Sequence, residues 1–351
     1  MKLLVLAQTS PPLHGQSFMT RELVAGLARR GFPAESVDLH LSRTGADIGR
    51  WHAGKLLPIL DACGQAIALR LTGRGDTLYY IPAPGKRGAL YRDWLVLALC
   101  RPFFPRLVLH WHAVGLGDWL ATRATGFERR VTRLLLGGAD LSLVLTPSLA
   151  ADAKALAPRR IAVVPNGIPD EGEPVAAPRS RNVFRILFLG ALTEEKGVGT
   201  LLAAGALLRQ RGIPAVLVFA GEALDPGLRA RLAGAPHVEL PGFVTGARKA
   251  ELFATSHCIC LPTHYRNEAQ PLVALEALAA DRPLVVTAWR GLPETVPPSV
   301  PVVPPRDPAA LADALAQVWA NPPPAQVHRR YFLSHYTVER HLDAVIAALR
   351  G

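Results

Sequence analysis

The sequence predicts an α/β fold in two domains, each a parallel sheet with helices on both faces. Three observations carry that reading. The 351 residues are too many for one ordinary core and suit two domains of about 150 to 180 residues. Half of them are hydrophobic and only 19% are charged, so the chain can bury two large cores. Short runs rich in Val, Ile, Leu and aromatics alternate with segments of helical period, an order that sets successive strands parallel and side by side.

In the first half the strand runs are residues 2–7, 34–39, 77–81, 107–111, 141–145 and 161–164, with a helix over 20–29 after the first. Asp170, Glu171 and Glu173 among Gly172, Pro174 and Pro178 give residues 170–180 a linker composition. The same grammar restarts at 184–189 and continues at 215–220, 238–240, 258–261, 283–287 and 301–303, a second domain of the same Rossmann-like kind. Asn321 and three prolines then break the chain, and Phe332, Val338, Leu342, Val345, Ile346 and Leu349 fit one helical stripe over 328–350.

The net charge of +11 is unevenly shared. Residues 1–168 carry 21 Lys and Arg against 11 Asp and Glu, and residues 169–351 carry 18 against 17. Such asymmetry fits a polyanionic partner, nucleic acid or an anionic membrane surface, and equally a proteome that spreads arginines over any solvated surface. Over 120–136, Leu120, Phe127, Val131, Leu134 and Leu135 combine with Arg123, Arg129, Arg130 and Arg133. That pattern reads as a basic amphipathic helix able to lie on an anionic leaflet, or as an ordinary surface helix packed on the sheet.

Apolar runs such as 94–100 fall far short of the roughly 20 residues that cross a bilayer. The N-terminal run stops at Gln8 and reads as a buried strand, not a secretory leader. Cys63, Cys100, Cys258 and Cys260 lack metal-ligand spacing and read as reduced core thiols of a cytoplasmic protein.

The most informative stretch runs from His264 to Glu276. Arg266, Asn267, Glu268, Ala269 and Gln270 precede Pro271 and Leu272, and a proline there marks a helix start. Glu268 then stands in the loop before free backbone N–H groups, where the helix dipole favours a diphosphate or a developing anion. Glu276, in the second turn, suits vicinal hydroxyls such as those of a ribose. Taken alone, the same residues also fit a helix-start carboxylate and an incidental Glu on a polar face.

The pattern of Glu268, seven residues, Glu276, with Pro271-Leu-Val-Ala-Leu between them, resembles the signature of the retaining glycosyltransferases of family 4. The resemblance covers most of the chain and is strongest in its second half. It implies a GT-B architecture, two Rossmann-like domains facing a central cleft: residues 1–168 for the acceptor, 169–325 for the nucleotide-sugar donor, and a last helix, 326–351, returning to the first domain. Closure of the domains would exclude water.

Phe188-Leu-Gly190-Ala-Leu-Thr-Glu-Glu-Lys196-Gly197 falls where the family places a lysine on the donor diphosphate. The chemistry is sound, because a fixed ammonium stabilises the charge that the leaving group gains. The family often has an arginine directly after the glycine, and this chain has Ala191. Arg266 or the Arg248-Lys249 pair stands as the candidate replacement. Gly221, ending another strand, would border the nucleotide, and Gly242-Phe243-Val244 would contact the base. Val164-Pro-Asn166-Gly167 marks the hinge.

In the first domain, residues 11–17 follow the first strand, and the resemblance makes Gly15 the point of close ligand approach, with His14 a weaker candidate. His112 falls where the family has a histidine that reaches the sugar. His110 and His112 share a strand face, so a metal pair and packed core histidines are the competing readings; no third ligand is evident.

The resemblance therefore implies transfer of a hexosyl unit from a nucleotide diphosphate sugar to an acceptor hydroxyl with retention. Lys196 would serve the diphosphate, Glu276 the ribose, and Glu268 with His112 the sugar; no metal or other cofactor is expected. The expected acceptor is a saccharide or lipid-linked saccharide of bacterial surface polysaccharide, met at the inner face of the membrane. A catalytically silent GT-B binding protein at the membrane and a nucleotide-sugar 2-epimerase are the alternatives; a nucleic-acid partner rests on charge alone and is not expected.

Overall fold

The computed structural model describes every residue except 10–14, 40–53, 55, 175–181 and 224. The chain forms two compact units, one of Met1–Gly167 with Val338–Gly351, the other of Ile168–Thr337.

In the first unit β1 (Leu3–Ala7), β2 (Ala34–Asp38), β3 (Thr77–Tyr80), β4 (Arg106–Trp111), β5 (Leu141–Val144) and β6 (Ile161–Val163) form one parallel sheet in the order β2-β1-β3-β4-β5-β6. All five residues of β1 are buried, because helices cover both faces, and so its sequence is apolar throughout rather than alternating. Leu4 and Leu6 join one core with Leu90, Val96 and Trp111, while Leu3 and Val5 join another with Leu23 and Leu27. The helices are α1 (Gly15–Arg29), α2 (Leu56–Leu71), α3 (Arg87–Cys100), α4 (Leu116–Thr122), α5 (Gly126–Leu136) and α6 (Ala151–Lys154).

The second unit repeats the plan with β7 (Phe184–Leu189), β8 (Ala215–Ala220), β9 (Val238–Gly242), β10 (Cys258–Leu261), β11 (Leu284–Thr287) and β12 (Val302–Val303), ordered β12-β11-β10-β7-β8-β9 and parallel. Around it lie α7 (Val198–Gln210), α8 (Pro226–Ala233), α9 (Gly246–Thr255), α10 (Leu272–Ala279), α11 (Leu292–Thr295), α12 (Pro308–Ala320) and α13 (Val327–His335). Phe184, Ile186, Phe188, Leu217 and Phe219 from the sheet pack with Leu201, Leu311 and Leu315 from the helices.

Three helical expectations are corrected. α1 begins at Gly15, five residues before the expected start, so Gly15 opens the helix rather than lying in the loop; His14 and the rest of 11–14 lie outside the described residues. The basic segment 120–136 is two helices. Leu120 is buried in α4, and Thr125 starts α5 by a capping box, its hydroxyl accepting from the Glu128 N–H at 3.1 Å while the Glu128 carboxylate accepts from the Thr125 N–H at 2.7 Å.

The stripe over 328–350 also divides. α13 closes at His335, and α14 (Val338–Arg350) follows after Thr337, which pairs with Ile168. α13 packs on α10 in the second unit, and its Arg329 pairs with Asp170. α14 belongs to the first unit and lies on α1, where a side chain at Gly26 would overlap Leu342. The chain thus passes from one unit to the other between Thr337 and Val338, not at residue 326.

Candidate functional site

In the second sheet the chain leaves β7 toward β8 on one side and leaves β10 toward β11 on the other. Loops that diverge from neighbouring strands leave a crevice at the strands' C-terminal ends, where α/β sheets bind ligands. Gly190, Gly221, Lys196 and Glu268, all in this unit, lie at or just after the strand ends. Gly190 and Gly221 hold φ of +145° and +155°, and a Cβ at Gly221 would lie 1.8 Å from the Gly190 carbonyl oxygen, so these strand ends meet only through glycine.

Lys196 closes a 3-10 turn, Glu194–Lys196, that Thr193 caps. Gly197 follows at φ +82°, and a Cβ there would lie 2.1 Å from the Pro262 carbonyl oxygen. That approach seats the turn on the exit of β10 and brings Lys196 Nζ within 2.6 Å of Glu268 Oε2. The Thr263 hydroxyl donates to the same oxygen at 3.1 Å and accepts from the Tyr265 N–H at 3.1 Å. Thr287 donates to the Thr263 carbonyl at 2.6 Å, and Trp289 Nε1 to that of Tyr265 at 2.8 Å, fixing the loop from behind. Lys196 Nζ also lies 4.9 Å from the Tyr265 ring centre. Burial, then Glu268 and Glu195, push the Tyr265 phenol up, so it stays neutral.

α7 and α10 begin beside this pair, and helix starts present N–H groups without intrahelical acceptors, although in α10 the Ala274 N–H donates to the Pro271 carbonyl at 3.0 Å. Two positive helix ends, an ammonium and a carboxylate can hold an anion and a hydroxylated group next to each other. Pro271 is the residue before α10 and Leu272 its first. Arg266 and Asn267 are half-buried in the loop, Ala269 and Gln270 are buried, and Gln270 donates to the Thr295 hydroxyl at 3.4 Å.

Glu276 does not share the Lys196 pair. Its Oε1 takes Lys249 Nζ of α9 at 2.9 Å, and its Oε2 is buried without a hydrogen-bond partner. Arg248, by contrast, pairs with exposed Glu251 at 2.7 Å. Lys249 was legible as a basic residue, but nothing in its spacing announces Glu276 as its partner. Thr263 and Tyr265 carried no sequence signal either.

The first unit places the other candidates. His110, next to last in β4, is fully buried, its Nδ1 hydrogen-bonded with the Tyr79 hydroxyl and its Nε2 without a partner. His112, half-buried, lies just beyond with ring centres 4.1 Å apart, on the side the alternation predicts. His341 of α14 stacks at 6.0 Å from His110 and meets the Pro165 carbonyl at 2.6 Å. Burial, then His112 and His341, drive the His110 imidazole well down in pKa, and burial brings His341 to about 4. Among the described residues no group of three or more His, Cys, Asp or Glu is placed to hold a metal ion. Asp152, unmarked in the sequence, accepts from the Gly115 and Gly117 N–H groups at 2.6 Å each and fixes the loop that follows His112.

Comparison with known proteins identifies the family of the second domain. Residues 183–321, which carry Gly190, Lys196, Glu268 and Glu276, match the family Glycosyl transferases group 1 and form a domain of that family. The chain is 32% identical over 260 residues to a glycogen synthase of Mycobacterium tuberculosis, a match covering 68% of this chain and 61% of that protein's length. Sucrose-phosphate synthase from Thermosynechococcus elongatus superposes with a TM-score of 0.75 at 20% identity, covering 100% and 98% of the two chains. Anabaena HepE in complex with UDP and glucose superposes with a TM-score of 0.68 at 15% identity, covering 99% of each. The two parallel six-stranded sheets with their helices are thus the GT-B fold.

Proposed function

We propose that the chain is a retaining glycosyltransferase that moves a hexosyl unit from a nucleotide diphosphate sugar to an acceptor hydroxyl. The observation that carries this reading is the Lys196–Glu268 pair at the switch point of the second sheet, set between the starts of two helices. Complexes of HepE with UDP and glucose and with UDP-glucose give the donor class its precedent.

When a donor binds, Lys196 turns to the diphosphate and neutralises the charge that grows as the anomeric C–O bond breaks. Glu268 accepts from sugar hydroxyls, and Glu276 from those of the ribose. The acceptor oxygen forms the new bond at the anomeric carbon, and its proton passes to the departing diphosphate, so no protein nucleophile is needed. His112 and Gly15 serve the sugar and the acceptor. The acceptor is read as a lipid-linked saccharide of a bacterial surface polysaccharide, reached at the inner face of the membrane; the exposed Phe127 and Leu134 among arginines support that location.

Binding and slow hydrolysis of UDP-, GDP- and ADP-sugars test the reading, with wild type beside Lys196→Ala and Glu276→Ala. One donor is expected to be preferred, and each variant to bind it roughly tenfold to a hundredfold more weakly, the worth of one charged hydrogen bond. Failure of the wild type to bind any donor would sink the transferase and leave a silent GT-B scaffold.

A further inference from the structure

The Glu276 carboxylate is held by one oxygen only. Lys249 Nζ reaches across from α9 to Oε1 at 2.9 Å, while Oε2 is buried and unpartnered. A buried acceptor without a donor is an unfavourable arrangement that a native fold keeps only where something else satisfies it. The missing group must donate a hydrogen bond. A phosphate cannot, since it is itself an acceptor and an anion, whereas a sugar hydroxyl can.

We propose that Lys249 is the positioning residue for nucleotide recognition: it anchors Oε1 of Glu276 so that Oε2 is kept for the ribose hydroxyls. The inference rests on reading the second unit as a nucleotide-sugar site. A glutamate has three rotatable side-chain bonds, and an untethered carboxylate would turn its buried oxygen toward water. The tether from α9 removes that freedom before the ligand arrives. Both helices begin at the C-terminal edge of the sheet, with Lys249 one turn into α9 and Glu276 one turn into α10, so the contact is set by two rigid elements.

The same geometry bears on what Lys249 does. The sequence offers it as a second diphosphate cation in place of the arginine absent at Ala191. Its ammonium is instead committed to a carboxylate, and Arg248 faces Glu251. Lys249 is therefore assigned to ribose selection through Glu276.

The test compares binding of UDP, GDP and ADP with that of their 2′,3′-dideoxy counterparts, by calorimetry on the full chain. Wild type is expected to prefer the ribonucleotide of its base by about tenfold. Lys249→Met should bind that ribonucleotide about as weakly as the dideoxy form, and Lys249→Arg should restore most of the preference. If Lys249→Met unfolds, Lys249→Gln takes its place. A preference undiminished in the variant, even with both ligands weakened, overturns the role, as does a wild type that binds both forms alike. A wild type that binds no nucleotide sinks the underlying donor reading instead.

Discussion

A buried imidazole stays neutral unless its surroundings favour the charge, and burial holds His341 at about 4, against an ordinary value of 6.5. Between those values the unfolded chain binds a proton that the folded chain refuses. His341 therefore contributes stability that is fully present above pH 6.5 and is lost as pH falls toward 4. A shift of this size corresponds to about 3 kcal/mol. Urea midpoints measured down that range should fall for the wild type, and His341→Asn should flatten the fall by about one proton's worth; parallel curves for the two proteins would refute the assignment. At this scale the sequence was readable where a motif singled out residues that the fold brings together, as for Lys196 and Glu268. It was silent where two residues meet only through the fold. Lys249 and Glu276 lie 27 positions apart on different helices, and no period links them.

At the scale of elements, central strands such as β1, β3 and β10 were legible because burial on both faces demands unbroken apolar runs, and the edge strands β2, β6 and β9, only partly buried, still lie where the alternation of strand and helix predicted. Helix ends were not, because a continuous stripe conceals a break. Phe332 and Val338 fit one stripe yet belong to α13 and α14, and Leu120 was joined across the capping box at Thr125 to the helix that follows. Turns matter more to the site than helix ends do. Gly197 lets the turn after β7 rest on Pro262, so Gly197→Ala combines a left-handed backbone with an overlap, while Gly212, at φ +78°, has open space. Gly212→Ala should cost about 1 kcal/mol, and Gly197→Ala about 2 to 4 kcal/mol together with donor binding. Equal losses in chemical denaturation, with donor binding intact, would show that the close approach to Pro262 does not set the Lys196–Glu268 contact.

At the scale of the whole molecule, the two-domain α/β plan followed from length and strand grammar, and the GT-B assignment from a single motif. The charge asymmetry had no such anchor, and the exposed face of α5 suggests a test of it. α14 adds two arginines and two acids to the first unit, which leaves the excess of positive charge there unchanged. On that unit Phe127 and Leu134 stand 71% and 73% exposed, seven residues apart on one face of α5, with Arg123, Arg130 and Arg133 exposed around them. Trp94 supports Phe127 edge-on at 6.2 Å and donates its indole N–H to Thr132 at 3.1 Å, so the helix is fixed while its tip is bare. Each arginine near an anionic leaflet contributes about 1 kcal/mol, and each of the two apolar side chains about 2 kcal/mol on insertion. Flotation with phosphatidylglycerol vesicles at low salt should therefore carry the wild type, weaken as salt screens the arginines, and drop at least about tenfold in Phe127→Ser/Leu134→Ser. Both side chains are exposed, so the double variant should keep the wild-type melting temperature. A wild type that stays with the buffer at low salt would detach the basic unit from the membrane and leave a soluble saccharide as the acceptor to test.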